Sequence, residues 1–214
     1  MEVQELRAGL WRWTAPHPDW EPDEDWERDV GCVYYEAADA VVLIDPLVPA
    51  GEEERFWQAL DRDVERAGRP VAVLVTIYWH ARSAQAVADR YDGRIYAHEE
   101  AVELLAARDT RVTDPFHVDD PLPGGIVSVD TSRASETVFW LPEPRALVPG
   151  DVILGADDGI RLCPASWLPK GYSLEELRRD LRPLLDRPVE LVLVSHGRPV
   201  LEGAHEALAG ALES

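Results

Sequence analysis

Positive charge is scarce in this 214-residue sequence. Lys and Arg number 21 against 41 Asp and Glu, giving a formal net charge of −20. A field of that sign repels phosphate backbones and anionic membrane surfaces, so neither nucleic acid nor a membrane is an expected partner. It equally suits a salt-tolerant or very soluble protein. Long hydrophobic runs are missing too: none approaches the ~18 apolar residues of a membrane span, and the opening "MEVQELRAG" has no signal-peptide pattern. Cysteine is limited to Cys32 and Cys163, far apart and without the paired spacing of a thiolate zinc site. These absences make a cytoplasmic protein with two ordinary thiols the expectation. Ser135, Ser166 and Ser195 lack the GxSxG context of a serine nucleophile. The glycines of "GDVILGADDGI" form no GxGxxG, and the acidic run around them opposes phosphate.

What is present is an ordinary globular composition, 46% hydrophobic and 29% charged, in a chain long enough for one large core. One domain over 1–214 is expected, because no repeat or linker divides it. Its first 30 residues are dense in Trp, Pro and acid, as in "WRWTAPHPDWEPDEDWERDV". This segment, with His17, is a candidate lid over a pocket or a homodimer contact, since Trp is enriched in interfaces. "GCVYYEAADAVVLID" reads as two strands around a turn. Phe56, Leu60 and Val64 form one stripe of a helix over 52–67. "PVAVLVT" is a buried strand, "SAQAVADRYD" a helix, "RIYAHEE" a strand and "EAVELLAAR" a helix. "GIVSVDT", "ETVFWLPEP" and "ALVPGDVIL" read as three further strands. Ser173 and Glu176 make a capping box for the helix "SLEELRRDLRPLLD". "VELVLVSHG" is a last buried strand before the terminal helix "GAHEALAGALE". Strands and helices in both halves predict an α+β architecture, two sheets face to face with helices outside.

Four segments together resemble one family, the metallo-β-lactamase-fold hydrolases. They are "VVLIDPLVP" (41–49), "VLVTIYWHARSAQAVADRYDGRIYAH" (73–98), "ETVFWLPEPRALVPGDVIL" (136–154) and "LVLVSHGRP" (191–199). They are collinear and cover most of the chain from about residue 30. The resemblance implies a four-layer αβ/βα sandwich of two mixed sheets. It also implies a metal-binding HxHxDH loop at the stretch from Thr76, a metal-bridging aspartate at Asp151 and a last ligand histidine at His196.

The ligand positions are mostly replaced. Zinc needs imidazole, carboxylate or thiolate donors at ~2 Å. In "TIYWHAR" the signature positions hold Ile77, Trp79, Ala81 and Arg82, and His80 is one place out of step. Before "ETVFW", where a third histidine is expected, "TSRAS" offers Arg133. No register of His80 restores more than one ligand in this loop, so a two-metal site is not expected and no metal is the first expectation. The alternative is a single zinc or similar divalent ion on His80, Asp151 and His196. It needs a one-residue shift to carry His80 into the pocket. Otherwise His80 bonds locally and Trp79 fills the vacated volume.

Two arginines near a lone buried aspartate suggest an ion-paired pocket, with Arg82 and Arg133 on Asp151 in place of metal charge. Such arginines are also candidates to bind an anionic small molecule. Asp45 in "LIDP" is expected to brace the loop. His98 reads as a strand-end or helix-cap residue, and Glu136 as an exposed strand-start carboxylate. Three functions follow: a binding protein on a degenerate metal site; a hydrolase of the same fold using at most one metal on an ester, lactone or related bond; or a metal-free enzyme using the arginine-lined pocket. The catalytic candidates are Asp151, His196 and His80.

Overall fold

A computed structural model describes residues 1–131, 133 and 135–213. Seven strands form one sheet in chain order: β1 (Glu2–Arg7), β2 (Leu10–Pro16), β3 (Asp29–Glu36), β4 (Val41–Ile44), β5 (Val71–Leu74), β6 (Arg94–His98) and β7 (Asp114–Phe116). β1 to β4 pair antiparallel and β4 to β7 parallel, so the sheet is mixed. The parallel strands need crossovers. These are the helix α1 (Glu53–Ala67), then α2 (Ala84–Tyr91), then α3 (Val102–Ala106) with the turn before it. The second sheet is built from β8 (Val127–Asp130), β9 (Thr137–Leu141), β10 (Ala146–Val148) and, after two further strands, β13 (Leu191–Val192). Those two, β11 (Ile153–Ala156) and β12 (Gly159–Leu162), form a separate ribbon. Helices α4 (Leu174–Leu181) and α5 (Ala204–Glu213) complete the chain.

Alternation along the strands makes the layers. In β4 and β5, Val41, Leu43, Val71 and Val73 pack with Phe56, Leu60, Val87 and Leu105 of the first three helices. Their neighbours Val42, Ile44, Ala72 and Leu74 point the other way, onto Phe139, Leu141, Ala146 and Val148 of the second sheet. The outer face of that sheet, Val138, Trp140 and Leu147, is covered by Leu177, Leu181, Leu208 and Leu212 of α4 and α5. The result is helix, sheet, sheet, helix, as the sequence implied. The Ser173–Glu176 capping box is also in place at the start of α4.

Two assignments change. "ALVPGDVIL" is not one strand: it leaves the second sheet at Val148, turns through Gly150, and enters the separate ribbon at Ile153. The Trp-rich start, read as one candidate lid or homodimer contact, divides in two. Residues 2–16 are the β1–β2 hairpin at the sheet edge, and only 17–28 form a loop, closed at its base by the His17 amide donating to the Arg28 carbonyl (2.8 Å). Among the described residues, no helix is long and apolar enough to cross a membrane.

Candidate metal centre

The loops leaving β4, β5, β10 and β13 converge at one edge of the sandwich. There the Thr137 amide donates to the Thr76 carbonyl (2.8 Å) and ties the two sheets together. The loop after β5 tightens into a 3₁₀ turn, Tyr78–Ala81, which carries His80 inward. A turn of three residues per revolution changes which side chains face the pocket, so His80 reaches it and Ile77 and Ala81 are buried in the core instead. His80, Asp151 and His196 are 2%, 3% and 6% exposed, so little water reaches them. Gly150 sets the approach of Asp151. Its φ is +60°, and a Cβ there would stand 2.7 Å from Glu136 Oε1. His196 is held by the bridge between Val30 and itself, next to the Gly31 amide donating to the Ser195 carbonyl (2.7 Å).

Asp45 fixes the imidazole of His80. One carboxylate oxygen accepts from the Thr76 amide (2.9 Å). The other accepts from Thr76 Oγ1 (2.5 Å) and lies 2.9 Å from His80 Nδ1. A carboxylate only accepts, so His80 Nδ1 carries the proton and a neutral His80 presents a bare Nε2. That Nε2 lies 3.3 Å from Asp151 Oδ1, and His196 Nε2 lies 3.4 Å from the same oxygen. Neither approach has hydrogen-bond geometry: His80 Nε2 and Asp151 Oδ1 are buried without a bonded partner among the described residues. Burial alone would raise the Asp151 carboxyl, yet the imidazoles of His80 and His196 hold it well below the usual carboxylate range. Burial and Arg82 oppose charge on His80, but Asp151 and Asp45 outweigh them and raise its pKa.

These three ligand atoms all lie within 4.8 Å of one another, and they form the group of His, Cys, Asp or Glu found among the described residues that can hold a metal ion. A tetrahedral zinc site with ~2 Å bonds has ligand–ligand edges of roughly 3.3 Å, close to both observed separations. An orphaned carboxylate oxygen facing two imidazoles, one with its tautomer preset by a carboxylate, fits a divalent ion. Carboxylate-oriented histidines are what such ions require of their surroundings.

The arginines do something other than pair with Asp151. Arg82, at φ +37°, donates from Nη1 to the Gly31 and Asp45 carbonyls (3.1 Å each) and from Nη2 to Ser195 Oγ (2.7 Å). It is a strut joining three site loops. Arg133 lies 3.0 Å from Glu136 and stacks over the Trp79 ring at 5.0 Å. In the stretch "TSRAS", Ser132 and Ala134 lie outside the described residues. The Arg82–Asp151–Arg133 ion-pair cluster is therefore corrected: backbone carbonyls and Glu136 took the guanidiniums first. Glu136 is also not exposed. It is 2% accessible, accepts from the Asp151 amide (2.6 Å), and burial with nearby Asp151 pushes its carboxyl up to about 7 against the pull of Arg133. Trp79 does more than fill volume, because its Nε1 donates to Asp151 Oδ2 (2.6 Å). His98 lies at the end of β6, where its Nδ1 accepts from the Glu100 amide (3.3 Å).

A cavity of about 360 Å³ opens over this group. Loop 17–28 contributes His17, Asp19, Glu24, Asp25 and Trp26 to its lining, with Trp167, Arg108 and Arg133 from elsewhere in the chain. Trp26 packs edge-on against His196 (5.0 Å) and His17 (5.4 Å), and Trp167 Nε1 donates to Asp25 (2.9 Å). The Trp-rich segment read as a candidate lid or homodimer contact, His17 included, thus supplies lining residues of this cavity.

No family model and no curated protein matches the chain by sequence. Solved structures do match. A metallo-beta-lactamase from Pontibacter korlensis superposes with a TM-score of 0.73 at 16% identity, over 100% of this chain and 99% of that one. The chain has the metallo-β-lactamase fold. A metallo-beta-lactamase from Hirschia baltica (TM-score 0.67, 14% identity, 99% and 97% covered) gives the same alignment of whole chains. So does FIM-1 from Pseudomonas aeruginosa in its mono-zinc form (TM-score 0.70, 13% identity, 99% and 94% covered). Identities this low establish the fold rather than the reaction.

Proposed function

We propose that this chain is a hydrolase of the metallo-β-lactamase fold that works with one divalent ion, zinc or similar, held by His80, Asp151 and His196. The observation that carries this reading is the convergence of His80 Nε2 and His196 Nε2 on Asp151 Oδ1, with His80 Nε2 and Asp151 Oδ1 buried and unbonded among the described residues and Asp45 fixing the proton on the far side of His80. A purely structural cluster would pair these atoms with donors, since a buried unsatisfied polar group costs about 1–3 kcal/mol. When bound, such an ion supplies Lewis acidity and lowers the pKa of a coordinated water.

The chain's own residues do the rest. Asp45 and Thr76 orient His80; Arg82 holds the three loops in register. Trp26 and Trp167 shield His196 from bulk water. The cavity has room for a small molecule, and its lining carries both signs of charge, Arg82, Arg108 and Arg133 with Asp19, Glu24 and Asp25. An ester, lactone or related bond is the substrate class that the fold and a single hydrolytic ion suit. FIM-1, of the same fold, was solved in a mono-zinc form, a property of that protein that supports a one-ion reading here.

One observation favours a second reading, a metal-free binding protein. Asp151 and Asp45 raise the His80 pKa, so an imidazolium pairs with Asp151 without any metal. Dialysis against zinc or manganese, followed by metal analysis and an ester and lactone screen, separates the two. Near-stoichiometric metal that is lost in His196→Ala, together with metal-dependent hydrolysis, supports the hydrolase. A folded protein without metal or turnover supports the binding protein.

A further inference from the structure

The charges that line the cavity are not equally available. Two of its arginines are already engaged. Arg82 donates to the Gly31 and Asp45 carbonyls and to Ser195 Oγ. Arg133 is buried against Glu136 (3.0 Å) and the Trp79 ring (5.0 Å). Arg108, exposed and 5.4 Å from the Tyr78 ring, then stands against three exposed carboxylates, Asp19, Glu24 and Asp25. His17 adds no positive charge at neutral pH, because burial and Arg82 lower its pKa to about 4. The formal net charge of −20 acts in the same direction and draws cations toward the cleft.

The aromatic groups suit the same sign. Trp26 Nε1 donates to Glu24 Oε2, and Trp167 Nε1 donates to Asp25 Oδ2 (2.9 Å each). Each bond occupies the polar edge of an indole and leaves its π face, which attracts cations, next to a full negative charge. Both rings adjoin His196, at 5.0 and 6.4 Å from its imidazole. A cation held by them lies beside the converging ligand atoms. Two of those atoms, His80 Nε2 and Asp151 Oδ1, are buried and unbonded among the described residues and belong to side chains that line this cavity.

We infer that the cavity takes a substrate bearing an alkylammonium group, held by the faces of Trp26 and Trp167 and the carboxylates of Asp19, Glu24 and Asp25. This deepens the hydrolase reading above and rests on it for the bond that is cleaved: the substrate class is an ester or lactone carrying an organic cation. Recognition of the cation itself needs no metal ion.

Choline and 3,3-dimethylbutan-1-ol share a shape and differ by one positive charge, so the pair isolates that charge. Each is titrated into the ¹⁵N-labelled whole chain and followed by the indole N–H resonances. Choline is expected to shift the Trp26 and Trp167 signals and to bind about tenfold or more tightly than the alcohol, the scale of a desolvated cation–π contact. Most of that preference is expected to vanish in the triple variant Asp19→Asn, Glu24→Gln, Asp25→Asn, whose amides still accept the indole N–H bonds. Equal binding of the two probes, no binding of choline, or a preference that survives in the variant overturns the inference. So does tighter binding of the anion 3,3-dimethylbutanoate, which would place recognition on the arginines. Hydrolysis then separates the inference from the reading beneath it. Zinc-dependent cleavage of 3,3-dimethylbutyl acetate with the same kcat/KM as acetylcholine overturns the inference and leaves the hydrolase standing. A choline preference with neither ester cleaved leaves the cation site standing and removes the hydrolase.

Discussion

Replacing Asp45 by Asn probes the site without touching a ligand. Asp45 is 3% exposed and sits at φ +50°, a conformation that Asn tolerates, so the backbone is left as it is. The carboxylate accepts three contacts, from the Thr76 amide, Thr76 Oγ1 and His80 Nδ1. An amide keeps one accepting oxygen for the Thr76 amide and turns an N–H₂ toward His80. The His80 proton is then driven from Nδ1 to Nε2, which removes the lone pair that faces Asp151. Loss of a charge-assisted buried bond costs about 1.5–3 kcal/mol, and for a chain of this length about 2 kcal/mol lowers Tm by roughly 4–8 °C. Zinc affinity is expected to fall about 10–100-fold. Thermal melts with and without chelator and zinc competition titrations measure the two effects separately. A folded Asp45→Asn with parental zinc affinity refutes the reasoning, because His80 would then not depend on Asp45 for its tautomer.

Further perturbations address the wall and the buried acid. Trp26→Ala removes the edge-on contact to His196 at 5.0 Å, worth about 0.5–1.5 kcal/mol. One zinc equivalent is expected to remain, with faster metal exchange, and loss of stoichiometry would contradict the role of loop 17–28 as a wall. For Glu136 the folded pKa of about 7 lies above its ordinary 4.5. The folded state thus holds the proton longer than the unfolded one, and the stability this contributes is present below pH ~4.5 and is lost as pH rises through ~7. Glu136→Gln, which cannot ionise, is expected to flatten that decline, by up to ~3 kcal/mol at pH 8 on ~1.4 kcal/mol per pH unit. Denaturant melts at pH 5 and 8 check it, and equal pH slopes in the two proteins would refute it.

The sandwich was legible because its signals are local and repeated. The runs "VVLI" and "VAVL" alternate between two cores, so each reads as a strand buried on both faces, and the Ser173–Glu176 pair fixes a helix start. The site was half legible. Asp151 and His196 follow strands whose positions were readable, whereas His80 lies in a 3₁₀ turn ending at Arg82 with φ +37°, and a linear register cannot follow such a turn. Pairings across long sequence separations were the least visible. Arg82 meets Ser195, Trp79 meets Asp151, and Glu136 meets the Asp151 amide only because two sheets close on one another. Charge counting put both arginines on Asp151, but carbonyls nearer in the fold accepted Arg82 and Glu136 took Arg133.

The most direct test of a one-ion site on His80, Asp151 and His196 is metal content. The parent chain and His80→Ala are dialysed against zinc, desalted and analysed by mass spectrometry for metal per chain. One zinc is expected in the parent, with most of it lost in a folded His80→Ala. A parent with no zinc, or a His80→Ala variant that keeps a full equivalent, would contradict it.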